Sequence, residues 1–237
     1  MRFSLATLAR RQRNIRRTSI VIRDIAPPTL LAANLYTQAY KHVTTAWAGY
    51  AERIIAEYER TLSQITTDAP ADVQAEIETS GNAIDRLLLL LTPGVRNWAL
   101  SVEKWHREKW VGAVLSATSV DLSTMIGASD VRATLETSIN WNVALIKDVS
   151  AQAQQRISNA VFDGLRNRTP AREVAKAVRE AVTMSRRRSV AIASDQLSKI
   201  TSSLADERRR QAGIPAWDWD HRRKAHPRAN HAARKGY

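Results

Sequence analysis

Apolar and aromatic residues recur every three or four positions through a long stretch of this sequence that contains no proline. The series begins at residue 35 or 36 and continues with Tyr40, Val43, Trp47, Tyr50, Ile54, Tyr58, Leu62 and Ile65. Such spacing lines the side chains up along one face of an α-helix. We therefore predict a helix of roughly 50 Å that runs from Thr29, as its N-cap, to about Gln64. Its length suits a long bundle or contacts with other subunits, and an intramolecular core helix fits the pattern equally well.

The same periodicity predicts further helices. A second helix over 72–91 should end at the Thr92-Pro93-Gly94 step, because proline and glycine interrupt helices. A third, over about 95–116, carries Trp98, Val102 and Trp105 on one face, with Trp110 off that register. We interpret these tryptophans as packing residues of a core.

Beyond a partly buried connector at 117–129, four more helices are expected, over 130–147, 150–165, 169–184 and 185–211. Ser150, Thr169 and Ser185 are placed to cap three of them, and Gly213 with Pro215 should end the series. Val190, Ala193, Leu197, Ile200 and Leu204 form the apolar stripe of the last helix. From residue 216 the sequence Ala-Trp-Asp-Trp-Asp alternates with period two, which is typical of an extended segment.

These patterns predict an all-α, elongated helical protein with long N-terminal helices, a C-terminal helical bundle and a short extended or β tail. Four regions are expected: a basic arm over 1–28, a long-helix region over 29–116, a helical domain over 117–212 and a basic Trp/His tail over 213–237. The longest apolar run, Leu87 to Leu91, is only five residues, so no membrane partner is expected.

Positive charge is concentrated near the two ends of the sequence. The chain carries 36 Lys and Arg against 23 Asp and Glu, a net charge of +13. Segregated basic segments usually meet a polyanion or an acidic protein surface. The candidate contact residues are Arg10, Arg11, Arg13, Arg16, Arg17, Arg186, Arg187, Arg188, Arg208, Arg209, Arg210, Arg222 and Arg223. A frayed terminus would also explain the N-terminal cluster, and the helix dipole explains part of the cluster at 208–210, whereas it opposes arginine in a first turn at 186–188.

The sequence offers little for catalysis. It has no cysteine and no glycine-rich phosphate loop, and its paired carboxylates lie among arginines on helical patterns. His221, His226 and His231 recur every five residues, which is not a helical metal-ligand spacing. We therefore predict no catalytic residue, cofactor, metal site or small-molecule substrate. Structural or solvated histidines are the expected interpretation, and a metal-dependent nuclease built on these three is the enzymatic alternative.

An ordered series of motifs over about residues 110–237 resembles the phage head morphogenesis family of Mu F-like minor head proteins. It begins with SINWNVALIKDVS at 138–150, continues through Gly164 and Thr169-Pro170 and reaches an arginine-rich helix after residue 185. The family-motif positions are Asn140, Trp141, Asp195, Gln196, Lys199, Trp219, His226, Pro227, Arg228, His231 and Gly236. Lys224 departs from the family, which is often acidic there. The sequence stops soon after Gly236, whereas relatives generally continue, so the C-terminal subdomain is expected to be incomplete or processed.

This resemblance implies a low-copy protein of a tailed-phage head, associated with the portal vertex, required during head assembly and, in some members, implicated in DNA ejection. The partners it implies are the portal protein and the major capsid or scaffold protein, with packaged double-stranded DNA nearby. Its implied location is inside the virion head, after assembly in the host cytoplasm. A non-specific nucleic-acid-binding assembly protein is the alternative, in which the arginine clusters bind DNA directly.

Overall fold

A computed structural model describes residues 2–12, 21–22, 25–63 and 69–214. Over these residues the protein is elongated and all-α, as predicted. The helices are α1 (Leu5–Gln12), α2 (Thr29–Leu35), α3 (Lys41–Ser63), α4 (Ala69–Thr118), α5 (Arg132–Asn167) and α6 (Ala171–Gln211). A π-helical turn, Tyr36–Tyr40, joins α2 to α3, and a 3₁₀ turn, Ala128–Val131, leads into α5. The expected tail at 215–237 lies outside the described residues.

The four long helical segments pack side by side as an up-down-up-down bundle. Arg53 and Arg60 of α3 pair with Glu76 and Asp72 of α4, so these two helices run antiparallel. Further along α4, Arg96 pairs with Glu136 of α5, which reverses the direction again. The bundle therefore follows the order of the chain from one helix to its neighbour.

One hydrophobic core runs between these helices. It includes Trp47 of α3, Trp98 of α4, Ile146 of α5 and Ile200 of α6, so both predicted halves of the chain contribute to it. Buried residues between 35 and 204, drawn from α2 to α6, thus share one interior. In the predicted stripe of α6 only Val190 fails, because it is exposed while the other four residues are buried.

The predicted breaks within the long helices are wrong. α4 passes through Pro93 without ending, and α5 and α6 pass through Ser150 and Ser185. Ser150 instead accepts a hydrogen bond from Nε1 of Trp47, and Ser185 donates to the Ala181 carbonyl one turn earlier. Proline within a helix costs about 3 kcal/mol, but buried apolar side chains on both sides of it contribute about 1.5–3 kcal/mol each. Packing of α4 on both sides of Pro93 therefore outweighs the local preference.

The predicted N-caps are also displaced. Thr29 and Thr169 do not cap their helices: Pro28 and Pro170 occupy the N-cap positions of α2 and α6 and form no side-chain cap hydrogen bond. At the other end of α6 the prediction for Gly213 is confirmed. This residue adopts a left-handed conformation with φ of 69°, and the N–H of the following residue donates to the Arg209 carbonyl at 3.0 Å. Glycine is suited to this position because it has no Cβ to resist positive φ.

The buried face of α4 differs from the predicted one. Trp98 and Val102 are buried as expected, but the stripe continues through His106 to Trp110, and Trp105 is half-buried. Steps of four residues from Trp98 give this stripe, and the polar His106 conceals it in the sequence. Trp110 is thus buried, but in a cluster separate from that of Trp98 and Val102.

A second, smaller core lies at one end of the bundle, which we call the distal core. Its buried members are Leu5, Ala9, Trp110, Val114, Val120, Leu122, Ile126 and Ala212. α1 is held there because the backbone N–H groups of Arg2 and Phe3 donate to the Gln211 carbonyl, at 2.9 and 3.1 Å. Part of the predicted N-terminal arm is thus packed structure, and the predicted connector at 117–129 supplies buried residues to the same core.

Candidate partner interface

The family-motif positions within the described chain lie at about one level of the α5–α6 pair. Arg188 of α6 contacts Asp148 of α5 at 2.9 Å, and Gln211 donates to the Asp130 carbonyl at 2.9 Å. These two contacts fix an antiparallel register. Counting along the helices from the two contacts brings 140–141 level with the segment 195–201. Two groups of motif positions that are far apart in sequence therefore lie at the same level of the helix pair.

Trp141 stands out at this level because its side chain is 56% exposed. Its neighbours Ile139 and Asn142 are buried, so Trp141 lies on the opposite face of α5. On α6, Asp195 pairs with Lys199 at 2.7 Å and accepts a hydrogen bond from the buried residue 196 at 3.1 Å. Tryptophan is among the residues that most often supply the binding energy at the centre of a protein interface.

In the first arginine cluster of α6, residues 186–188, only part of the positive charge is available for contact with a partner or DNA. Arg186 and Arg187 are exposed, and neither has an ion pair within the described residues. Arg188 pairs with Asp148 and also donates to Gln152, so it joins α6 to α5. The cluster lies in the middle of α6 and not in a first turn, so the expected repulsion from the helix dipole does not arise.

The second cluster, at the end of α6, is largely neutralised. Arg209 pairs with Asp206, and Arg210 pairs with Glu207 at 2.6 Å. Arg208 is only 1% exposed, and its Nη2 donates to Glu103 at 2.6 Å. The prediction that Arg208 contacts a polyanion is therefore wrong, because its guanidinium is enclosed by protein and already bound to a carboxylate.

The remaining candidates divide between α1 and the undescribed segments. Arg10 and Arg11 are exposed in the last turn of α1. The following candidates lie outside the described residues: Arg13, Arg16, Arg17, Trp219, His221, Arg222, Arg223, His226, Pro227, Arg228, His231 and Gly236. Their predicted roles stay predictions.

The structure also contains a buried polar cluster that the sequence patterns did not predict. We call Glu103, His106, Trp110 and Arg208 the polar node. Glu103 bonds to Arg208, and the His106 ring stacks on Trp110 with 6.5 Å between ring centroids. Burial, aided by the charges of Arg208 and Arg209, lowers the pKa of His106 from 6.5 to about 4. The continuation of the three-to-four spacing through Glu103 and His106 is the sequence signal for this node.

No group of three or more His, Cys, Asp or Glu side chains in the described part of the chain is arranged to hold a metal ion. None of the described helices combines the length and apolar character that crossing a membrane requires. These two findings concern residues 2–12, 21–22, 25–63 and 69–214.

Comparison with known proteins adds one distant similarity. The chain is 25% identical over 120 residues to an uncharacterized protein of Haemophilus influenzae. The match covers 50% of this chain and 27% of that protein, so the matched segment spans about a quarter of the relative. No protein-family model matches the chain. No solved structure matches it either.

Proposed function

We propose that this chain is a minor head protein of a tailed bacteriophage that binds at the portal vertex and is required for head assembly. The observation that carries the proposal is the position of Trp141, exposed on α5 and level with the Asp195–Lys199 pair on α6. These are positions of the ordered motif by which the sequence resembles the Mu F-like family. The proposed partner of this face is the portal protein, with the major capsid or scaffold protein beside it.

The proposed location is the inside of the virion head, with packaged DNA close to the basic segments. Arg186 and Arg187 support this part of the proposal, because both are exposed and have no ion pair within the described chain. Contacts with DNA phosphates through such residues would be independent of base sequence and would weaken as salt increases. We propose no catalytic role for the chain.

Replacing Trp141 with alanine tests the proposed interface. Removing an interface tryptophan commonly costs about 2 kcal/mol or more, so W141A should bind portal oligomers at least about tenfold more weakly in co-sedimentation. Met184→Ala is the matched control, because Met184 is 50% exposed on α6 outside the motif positions. It should bind as the unmodified protein does.

Two results would contradict the proposal. One is equal loss of portal binding in W141A and M184A, and the other is the absence of the protein from purified virions. The nucleic-acid alternative predicts instead tight duplex binding that falls by orders of magnitude between about 50 and 200 mM salt and is unaffected by W141A.

A further inference from the structure

The outer face of α4 carries large apolar side chains that the described part of the chain leaves exposed. Leu89 and Leu90 are 71% and 75% exposed, and Leu100, three turns further on, is 44% exposed. Trp98 and Val102 lie on the opposite face of the helix, buried in the main core. Large apolar residues grouped on one exposed face are typical of a surface that binds another protein.

The exposed residues of this face are arranged symmetrically about Asn97. In an α-helix, positions that are four, seven or eleven residues from a given residue lie on nearly the same face as that residue. The exposed residues at these distances on either side of Asn97 are Arg86, Leu90, Pro93, Ser101, Lys104 and Glu108. A guanidinium group thus ends the face on one side and a carboxylate ends it on the other, at equal distances from its centre. We call residues 86–108 on this side of the helix the outer face of α4.

The two charged ends of the outer face are not neutralised within the described residues. Arg86 and Glu108 are both exposed, and neither forms an ion pair there. They lie roughly 33 Å apart along α4, so they do not pair with each other in one molecule. A partner that neutralises both must carry a carboxylate and a guanidinium at the same separation and in the opposite order. A second copy of α4 that runs antiparallel to the first meets this requirement.

We propose that the outer face of α4 binds the same face of a second copy of this chain, antiparallel, with a twofold axis beside Asn97. Arg86 of each copy then lies opposite Glu108 of the other, because both residues are eleven positions from the axis. The twofold symmetry produces this ion pair twice. The inference goes beyond the proposed function and does not depend on it.

The same register brings the exposed leucines together. Leu89 and Leu100 lie on the flank of α4 that faces α5, because they are two turns before and one turn after Arg96, which pairs with α5. A twofold axis perpendicular to α4 keeps this flank on the same side in both copies. Leu100 of the second copy then reaches the level of residue 94, between Leu89 and Leu100 of the first. The four leucines alternate along one side of the contact, which removes apolar surface from water.

Charge reversal in the full chain tests this contact, with the dimer dissociation constant measured by sedimentation velocity from about 2 to 200 µM. The unmodified protein should form dimers within this range. Arg86→Glu should raise the dissociation constant at least about tenfold, because it places like charges opposite each other at two symmetric points. Glu108→Arg should have the same effect. Combining the two substitutions restores opposite charges, so the double variant should return to within about threefold of the unmodified protein.

Arg172→Glu is the matched control, because Arg172 is an exposed arginine of α6 that also forms no ion pair among the described residues. It should leave the dissociation constant unchanged. A chain that stays monomeric over the whole concentration range would overturn the proposal. A dimer that R86E and R172E weaken equally, or that the double variant does not restore, would overturn it as well.

A cysteine at residue 97 tests the position of the axis. The sequence contains no cysteine, so oxidation can link two copies only through an introduced one. Residues that face each other across a twofold axis come within the Cα separation of about 7 Å that a disulfide tolerates. Asn97→Cys should therefore give a linked dimer much faster than Gly49→Cys, which lies on α3 where an added Cβ meets no atom within 4 Å. Equal rates for the two variants would show that the copies do not meet at Asn97. Neither experiment involves the portal, so both are separate from the test of the proposed function.

Discussion

At the scale of single residues, two buried tyrosines in the main core differ in how their hydroxyls are satisfied. Tyr58 donates to the Thr169 carbonyl at 2.7 Å and so ties α3 to the turn before α6. The Tyr40 hydroxyl is buried with no partner within the described chain. Burial raises the pKa of both groups, so both stay protonated at neutral pH. The two side chains therefore make opposite contributions to stability through the same atom type.

Replacing each tyrosine with phenylalanine should reveal this difference. Tyr58→Phe loses a hydrogen bond and should lower the free energy of unfolding by about 1 kcal/mol. Tyr40→Phe removes an unpaired buried hydroxyl and should leave that free energy unchanged or raise it by up to about 1 kcal/mol. Urea unfolding of the two variants measures both values. A larger loss for Y40F than for Y58F would show that the Tyr40 hydroxyl has an acceptor.

At the scale of helices, the periodicity predicted the elements well and their ends poorly. The apolar stripe through Trp47 and Ile54 is buried as predicted, because spacing decides which face of a helix packs. The predicted break at Pro93 is absent because the free-energy cost of a proline in the helix is smaller than the free energy gained by packing on either side of it. Rules based on local sequence do not include that packing. Glu103 and Arg208 show the same limit for the candidate site. Their pairing depends on how α4 and α6 align in the fold. The sequence of either helix taken alone does not reveal that alignment.

Gly164 lies where α5 closely approaches its neighbours, near the turn into α6. A Cβ at this position would lie 2.5 Å from Cγ2 of Val174 and 2.9 Å from the Tyr58 hydroxyl. Gly164→Ala should therefore destabilise the protein by about 1–3 kcal/mol through overpacking, despite the better helix propensity of alanine. Thermal unfolding or urea unfolding measures the change.

Gly112 of α4 is the control, since no atom lies within 4 Å of the position that an alanine Cβ would occupy there. Gly112→Ala should raise the free energy of unfolding by up to about 1 kcal/mol through helix propensity alone. Equal effects of the two substitutions would contradict the close approach at Gly164.

At the scale of the whole molecule, the distal core joins parts of the chain that are remote in sequence. α1, the end of α4, the segment 119–127 and the residues after α6 all contribute to it. The polar node lies between this core and the main bundle, because Trp110 belongs to the distal core and Arg208 lies in the last turn of α6. His106 is buried in this node, and its charged form is disfavoured there. Protonation of this one side chain should therefore lower the stability of the fold.

The low pKa of His106 predicts a loss of stability in mildly acidic solution. The folded imidazole stays neutral down to about pH 4, whereas the unfolded chain binds its proton below about 6.5. The unfolded state thus binds more protons between these values, and the free energy of unfolding should fall by up to about 3 kcal/mol as pH decreases across them. Urea titrations at about pH 7.5, 6 and 5 measure this slope, which follows from proton linkage.

His106→Gln should flatten the dependence in this window. Carboxylates whose pKa values are lowered, such as Glu52 and Glu136 in their bonds to Arg179 and Arg96, lose their contribution only at lower pH. The same slope in the variant and the unmodified protein would show that other groups cause it.

The attachment of residues 2–3 to Gln211 determines where the most positively charged segments of the chain join the fold. The chain leaves the described structure after Gln12 and after Ile214, and both exits lie at the distal core. Residues 13–20 carry a net charge of +3 and residues 215–237 a net charge of +4, out of +13 for the whole chain. More than half of the excess charge therefore belongs to segments that join the described structure at the distal core. Long-range attraction to a polyanion would act most strongly on chain that is attached at this one end, and salt would weaken it.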